Sequence, residues 1–209
     1  MARLRRISRS EYVRSHWKNG LGFTDQIAIE PAGADLRKGD YLWRISSAAI
    51  ENASDFSVFP EHDRGLVILS GAGVRLTHRD PDSDYSDTVE LPPFEPYEFP
   101  GDIKSSCGLV DGPVQDLSVF FKKSDASASL DVVVLDGESA WDWNPRANWN
   151  FVFAARGAFE IATGGEETET LAPGETYLIE PDPGTEDTYP IVAHGPDSRL
   201  VVISLWLNG

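Results

Sequence analysis

The chain has a single cysteine, Cys107, among 209 residues. One cysteine cannot close an internal disulfide, and it excludes a cysteine-rich zinc cluster. Histidine is also sparse: His16, His62, His78 and His194 each stand in a different stretch of sequence. A divalent metal needs three or four converging ligands, so no metal and no cofactor are expected. There is no apolar run of about 18 residues, hence no expected membrane span. The N-terminus, Met-Ala-Arg-Leu-Arg-Arg, is followed by no apolar stretch, so no signal peptide is expected either. A reducing cytoplasm is the expected location.

Basic residues are the next scarcity. Lys and Arg total 18 against 34 Asp and Glu, a formal net charge of −16. Phosphate backbones are held by clustered Lys and Arg, so nucleic acid is not an expected partner. The basic residues are unevenly placed. Arg3, Arg5, Arg6, Arg9, Arg14 and Lys18 fall in the first twenty residues, with Glu11 the one acid among them. The simple reading is a basic arm lying on an acidic body. A free polyanion-binding arm is the alternative.

Long amphipathic helical stretches are missing as well. Short runs rich in Val, Ile, Phe, Tyr and Trp recur between Gly, Pro, Asp and Asn clusters, which predicts an all-β sandwich or barrel. With 41% hydrophobic residues the chain can build a full core. Strands are expected at Thr24–Glu30, Tyr41–Ile50, Arg64–Ser70, Gly73–His78, Asp87–Leu91, Tyr97–Phe99, Gln115–Lys123, Leu130–Leu135, Asn150–Ala155, Ala158–Thr163, Glu167–Leu171, Thr176–Glu180 and Arg199–Leu207. The run from Gly65 to Leu76, with a turn near Gly101 and Asp102, is echoed by Phe151 to Ile161 with Pro173-Gly-Glu175. Strand, tight Gly turn, strand, polar loop, strand thus occurs twice. Two halves follow, 1–124 and 125–209, expected to pack as one unit. A flexible linker is expected near Lys123–Leu130, and strand exchange from residues 1–50 stays open.

Polar side chains alternate with bulky apolar ones on several strands. Trp43 and Ile45 share one face, Arg44 and Ser46 the other. Asp25, Ile27 and Ile29 alternate with Thr24, Gln26 and Ala28, and Leu117, Val119 and Phe121 with Asp116, Ser118, Phe120 and Lys122. Period alone does not say which face lines a hollow, because a one-residue slip reverses both. Arg44 and Arg64 are the candidate anion ligands, since a guanidinium fork matches a carboxylate. Their alternative role is structural pairing with Asp63 or Asp116. Gln26, Ser46 and Ser118 are candidates to orient a ligand by hydrogen bonds. His62 beside Glu61 and Asp63 reads as a solvated loop, with an acid–base pair as the catalytic alternative. Trp141, Trp143 and Trp149 read as core packing at a barrel opening, with a partner surface as the alternative.

In order along the chain come Trp17-Lys-Asn-Gly-Leu-Gly-Phe-Thr24, Trp43-Arg-Ile-Ser46, Phe56-Ser-Val-Phe-Pro60 with Asp63-Arg64, and Leu69-Ser-Gly71. Phe99-Pro-Gly-Asp102, Cys107-Gly-Leu-Val-Asp-Gly-Pro113 and Asp116-Leu-Ser-Val-Phe-Phe-Lys122 follow. By these motifs, over about residues 12 to 123, the chain resembles the HutD/Ves family. The resemblance implies an all-β double cupin of two β-barrel or jelly-roll halves with few helices, and an association with histidine utilisation. Metal cupins carry two His a residue apart with a nearby Glu and a distant His, a set this chain lacks. The family motif also points to site roles for Trp17, as a stacking surface or core plug, and for Asn19. At three polar places the chain departs from the family pattern: Gln26 stands where Glu is usual, Glu61 for Gly, and Ser118 for Asn with Lys122 and Lys123 for Arg. The implied partner is a small anionic metabolite such as formylglutamate, bound to limit flux, with no catalytic residue assigned. A homodimer is compatible with this. A metal-free enzyme and a partner-binding protein with a degenerate pocket are the other two readings.

Overall fold

The computed structural model describes residues 2–17, 22–36, 38–80, 86–137, 139–164 and 167–209. It is built from strands joined by turns, with one 3-10 turn at Arg9–Glu11. In chain order these are β1 (Arg3–Ile7), β2 (Val13–His16), β3 (Gly22–Glu30), β4 (Trp43–Ile50), β5 (Ser54–Asp55), β6 (His62–Ser70) and β7 (Val74–Arg79). Next come β8 (Ser86–Leu91), β9 (Tyr97–Pro100), β10 (Lys104–Leu109), β11 (Val114–Lys122), β12 (Ala126–Leu135) and β13 (Ala140–Trp143). The last are β14 (Trp149–Arg156), β15 (Phe159–Gly164), β16 (Glu167–Leu171), β17 (Thr176–Glu180), β18 (Tyr189–Ala193) and β19 (Ser198–Leu207). The fold is all-β, as the pattern of short β-rich runs predicts.

The chain divides into two compact units. The N-terminal unit spans 12–127 with 208–209. It sets a six-stranded antiparallel sheet, β2-β3-β4-β11-β6-β9, against a four-stranded one, β5-β10-β7-β8. Ile50, Leu66, Ile68, Phe99 and Val114 from the first sheet share a core with Val74, Leu76, Leu91 and Cys107 from the second. Gly71 makes the β6–β7 turn at a φ of +90°, and a Cβ there would lie 2.5 Å from the Pro113 carbonyl oxygen, so only glycine fits.

The C-terminal unit spans 128–207 and takes in residues 1–11 as well. Its sheets are β1-β17-β14-β19-β12 and β13-β18-β15-β16. The division therefore departs from a simple cut after residue 124. The sequence pattern does not predict strand β1, because its three arginines and two apolar residues show no clean alternation, yet it pairs antiparallel with β17 from Arg3 opposite Glu180 to Ile7 opposite Thr176. The segment near Lys123–Leu130 is not a flexible linker. A turn closed by the Asp125 amide on the Lys122 carbonyl leads straight into β12. Strands β2, β5, β10, β13 and β18 also lacked a strong signal, being short or built of Ser, Gly, Lys and Pro.

The basic segment is neutralised where it lies. Arg3 pairs with Glu180 and Arg5 with Glu11, while Arg6 forms a fork on Glu175, with Nη2 2.8 Å from Oε1 and Nε 3.2 Å from Oε2. Burial raises the Glu175 carboxyl, but Arg6 and the Ala172 amide outweigh it and hold the group below its ordinary value. A carboxyl depressed in the fold stabilises above its unfolded value and stops doing so as pH falls through its folded value. Arg6 is partly solvated, so screening limits the pair to about 1 kcal/mol. Arg6→Ala should therefore lower unfolding stability by about that much at pH 7, with the difference from wild type closing as Glu175 is protonated between its unfolded value and more acid pH. Urea titrations of both proteins across that range measure it.

Candidate functional site

The register of the six-stranded sheet settles which strand faces look inward. One row across it runs Ile29, Arg44, Phe120, Arg64 and Phe99, through β3, β4, β11, β6 and β9. The next row runs Gln26, Ser46, Ser118, Leu66 and Tyr97, and the one beyond it Thr24, Ala48, Asp116 and Ile68. Leu66, Ile68 and Phe99 belong to the core shared with the opposite sheet, so these rows line the inside of the N-terminal unit. A register shift in β3 between Gln26 and Ala28 corrects the strict alternation expected there: Ile27 is bulged out of phase, and Gln26 and Ile29 come to share the inner face.

Arg64 is buried, and its Nη2 donates to Ser118 Oγ at 2.9 Å and reaches Asp116 Oδ2 at 3.5 Å. Its guanidinium carbon lies 4.1 Å from the Phe56 ring centroid, 5.0 Å from Phe120 and 5.6 Å from Phe99. Three aromatic faces thus hold a delocalised cation in a dry place. Burial pulls the Arg64 group down to about 10, against the pull of Asp116, which leaves it cationic at neutral pH. Burial pushes the Asp116 carboxyl up. Arg64, the Ala48 amide at 2.8 Å and Ser118 Oγ at 3.2 Å oppose that. Arg64 Nε is buried with no hydrogen-bond partner among the described residues.

Arg44 is buried one strand to the other side of Phe120, its guanidinium carbon 5.9 Å from that ring. Its Nε donates to Gln26 Oε1 at 3.1 Å. Its two terminal nitrogens have no hydrogen-bond partner among the described residues. Ser46, also buried, stands beside Gln26 and Ser118 in the neighbouring row. Five of the seven residues singled out from the sequence therefore share one inner wall: Arg44, Arg64, Gln26, Ser46 and Ser118. Of the two roles weighed for the arginines, pairing with Asp116 falls to Arg64, and Arg44 keeps its fork open.

Trp17 sits at the margin of the same core, half-buried, with Nε1 donating to Thr24 Oγ1 at 2.9 Å. A Cβ on Gly22 would stand 3.1 Å from the Trp17 ring, so that glycine makes room for it. Asn19 lies outside the described residues. His62 is not in a solvated loop. It opens β6, buried, with Nδ1 2.9 Å from the Pro60 carbonyl oxygen and Nε2 3.0 Å from that of Tyr41. Both ring nitrogens are thus occupied by backbone. The sequence pattern does not single out Phe56, Phe99 and Phe120, the rings around the guanidinia, or Tyr41, which packs with Phe120. Their role follows from strand register, which no local pattern carries.

The wall does not suit a divalent cation. Among the described residues no three His, Cys, Asp or Glu side chains converge to hold one, and two guanidinium cations stand there instead. An open groove of about 510 Å³ on the outer face of the four-stranded sheet, lined by Ser54, Asp55, Arg75, Thr77 and Ser106, is a weaker candidate. It is solvated, and its Arg75 is already paired with Glu90. Among the described residues of the C-terminal unit no two buried arginines share an inner face. The interior of that unit is filled by Trp143, Phe159, Ile161, Tyr177, Ile191 and neighbours. Trp141 stacks on Trp143 at 6.3 Å, which makes that pair part of the packing.

A buried ion pair broken on one side leaves a bare charge, at about 3–5 kcal/mol, whereas apolar replacement of both partners is often close to neutral. Asp116→Asn should thus destabilise by about 3 kcal/mol. The double variant Arg64→Met with Asp116→Leu should cost less than Asp116→Asn alone. Chemical denaturation of the three proteins separates the outcomes.

A family model, HutD, matches residues 9–193. An uncharacterised 21.2 kDa protein in the hutC 3' region of Pseudomonas putida is 31% identical over 171 residues, 82% of this chain and 84% of that protein. Protein Ves of Citrobacter koseri is 29% identical over 117 residues, 56% of each chain. The solved structure of HutD from Pseudomonas fluorescens SBW25 superposes with a TM-score of 0.76 at 27% identity, covering 99% of this chain and all (100%) of that one. An oxalate decarboxylase of Bacillus subtilis matches with a TM-score of 0.63 at 9% identity over 96% of this chain and 76% of its own, a likeness of fold. No helix among the described residues is long and apolar enough to cross a membrane. With the family match spanning most of its length and a double-cupin fold of two β-sandwich units, the chain belongs to the HutD family.

Proposed function

We propose that this chain is a metal-independent binding protein for a small carboxylate, held on the inner wall of the N-terminal unit by Arg44. One observation carries the reading. A buried guanidinium aims a fork of two terminal nitrogens with no protein acceptor among the described residues, at the side of an aromatic ring. The fork lies beside the Phe120 ring with its donors uncommitted, and a carboxylate matches its geometry. The wall has a surplus of donors and cations over acceptors: Arg44 and Arg64 against Asp116. Gln26 and Ser46 stand where they orient the ligand, Ser118 is committed to supporting Arg64, and Trp17 closes the margin.

The family and the hutC-region relative support a place in histidine utilisation. To this we add, as part of the proposal, a formylglutamate-like anion as the ligand, a regulatory effect on flux and a cytoplasmic location. His62 presents no free ring nitrogen to a ligand, so binding is favoured over acid–base chemistry.

A ligand at a hundred times its Kd adds about 2.7 kcal/mol to the native state. For a chain of this size that is a rise of about 5–10 °C in melting temperature. Thermal unfolding with N-formylglutamate, glutarate and acetate should show such a rise for at least one of them, and Arg44→Gln, still folded, should lose it. A wild-type protein whose melting no small acid moves would sink the reading.

A further inference from the structure

The Tyr41 hydroxyl is buried and has no hydrogen-bond partner among the described residues. Such groups are rare, because burying a hydroxyl unmatched costs free energy that a phenylalanine would not. The ring itself is well fixed. It packs with Ile29 and Phe120, and with Leu36 and Phe59 at their edge. Its other side lies 4.3 Å, centroid to centroid, from the His62 imidazole, whose Nε2 faces the Tyr41 carbonyl oxygen. Phe120 is the ring that separates the two guanidinia, and Ile29 is the residue opposite Arg44 in the sheet. The orphaned hydroxyl is therefore anchored by the neighbours of Arg44, within electrostatic reach of both arginines.

We infer that Tyr41 is a specificity-determining residue of the carboxylate site, its Oη–H donating to the acceptor head that the Arg44 fork holds. This rests on the carboxylate-binding reading above and extends it. Burial pushes the phenol up to about 12, over the opposing pull of Arg44 and Arg64, so the group keeps its proton and acts as a donor across the physiological range. Two terminal nitrogens of Arg44 and one phenol, both beside Phe120, offer three donors to one ligand head. A carboxylate, which only accepts, satisfies all three. A carboxamide brings its own N–H₂ against them and leaves donors facing donors. The ligand class is thus narrowed to acceptor-only heads, carboxylate over carboxamide. The orphaned hydroxyl is the cost of having that arrangement ready before the ligand arrives.

The test uses the full chain and titrates acetate and acetamide calorimetrically into wild type, Arg44→Gln and Tyr41→Phe. Wild type should take acetate and not acetamide. Tyr41→Phe should bind acetate about tenfold or more weakly, as loss of a hydrogen bond to a charged group implies. Without ligand, Tyr41→Phe should melt at the same temperature as wild type or higher, since the unmatched hydroxyl is gone. A purely packing role would give no loss of affinity. If wild type binds no small acid, the carboxylate site itself falls, and this inference with it. If wild type binds acetate through Arg44 and Tyr41→Phe binds it equally well, only the role of Tyr41 falls. Should Tyr41→Phe fail to fold, a ring-fluorinated tyrosine at position 41, a stronger donor of nearly the same shape, should tighten acetate binding severalfold; unchanged affinity overturns the inference.

Discussion

The contact on which the N-terminal unit depends is the buried set of Arg64, Asp116 and Ser118. A guanidinium taken out of water is held only if a counter-charge and further hydrogen bonds replace its hydration. Asp116 supplies the charge and is itself held by the Ala48 amide, which ties β11 to β4. Arg64 ties β6 to the same strand. The pair therefore fixes three central strands in one register, and with that register it fixes which side chains face inward. Arg44 is presented inside because Phe120, its partner across the sheet, lies in phase with Asp116 two pairs away.

The two units solve the same packing problem differently. The C-terminal one fills its interior with aromatic and branched apolar side chains. The N-terminal one keeps two cations inside and compensates them with aromatic faces from Phe56, Phe99 and Phe120. Rings are the right compensation here. They exclude water and so strengthen every charge interaction on the wall, while their faces stabilise a cation without consuming hydrogen-bond donors. The terminal donors of Arg44 are left uncommitted. In this fold a wall of guanidinia suits an anion for the same reason that a wall of imidazoles suits a metal.

Much of this is legible in the sequence. The alternation of Trp43 and Ile45 with Arg44 and Ser46 is visible, and the folded strand β4 keeps it. Runs of β-branched and aromatic residues located most of the central strands within a residue or two. The rest is hidden for identifiable reasons. Strand β1 is dominated by arginine, so its pairing with β17 depends on Glu175 and Glu180, far away in sequence. The β3 bulge moves Ile29 to the inner face, and a single extra residue leaves no signature in a pattern of period two. His62 looks exposed among Glu61 and Asp63, and is buried because two backbone carbonyls wait for it.

Tyr41 illustrates the deeper limit. Nothing about a tyrosine after Gly39 and Asp40 distinguishes a core aromatic from a ligand-facing donor. The distinction lies in what its hydroxyl fails to meet, and that depends on strands whose contacts span the unit. An Arg can be recognised as a candidate from composition alone, since a cation in so acidic a chain asks for an explanation. A neutral donor asks for none until the fold closes around it. Sites of this kind are therefore read in two stages: charges from the sequence, and the neutral groups that give those charges their selectivity from the register.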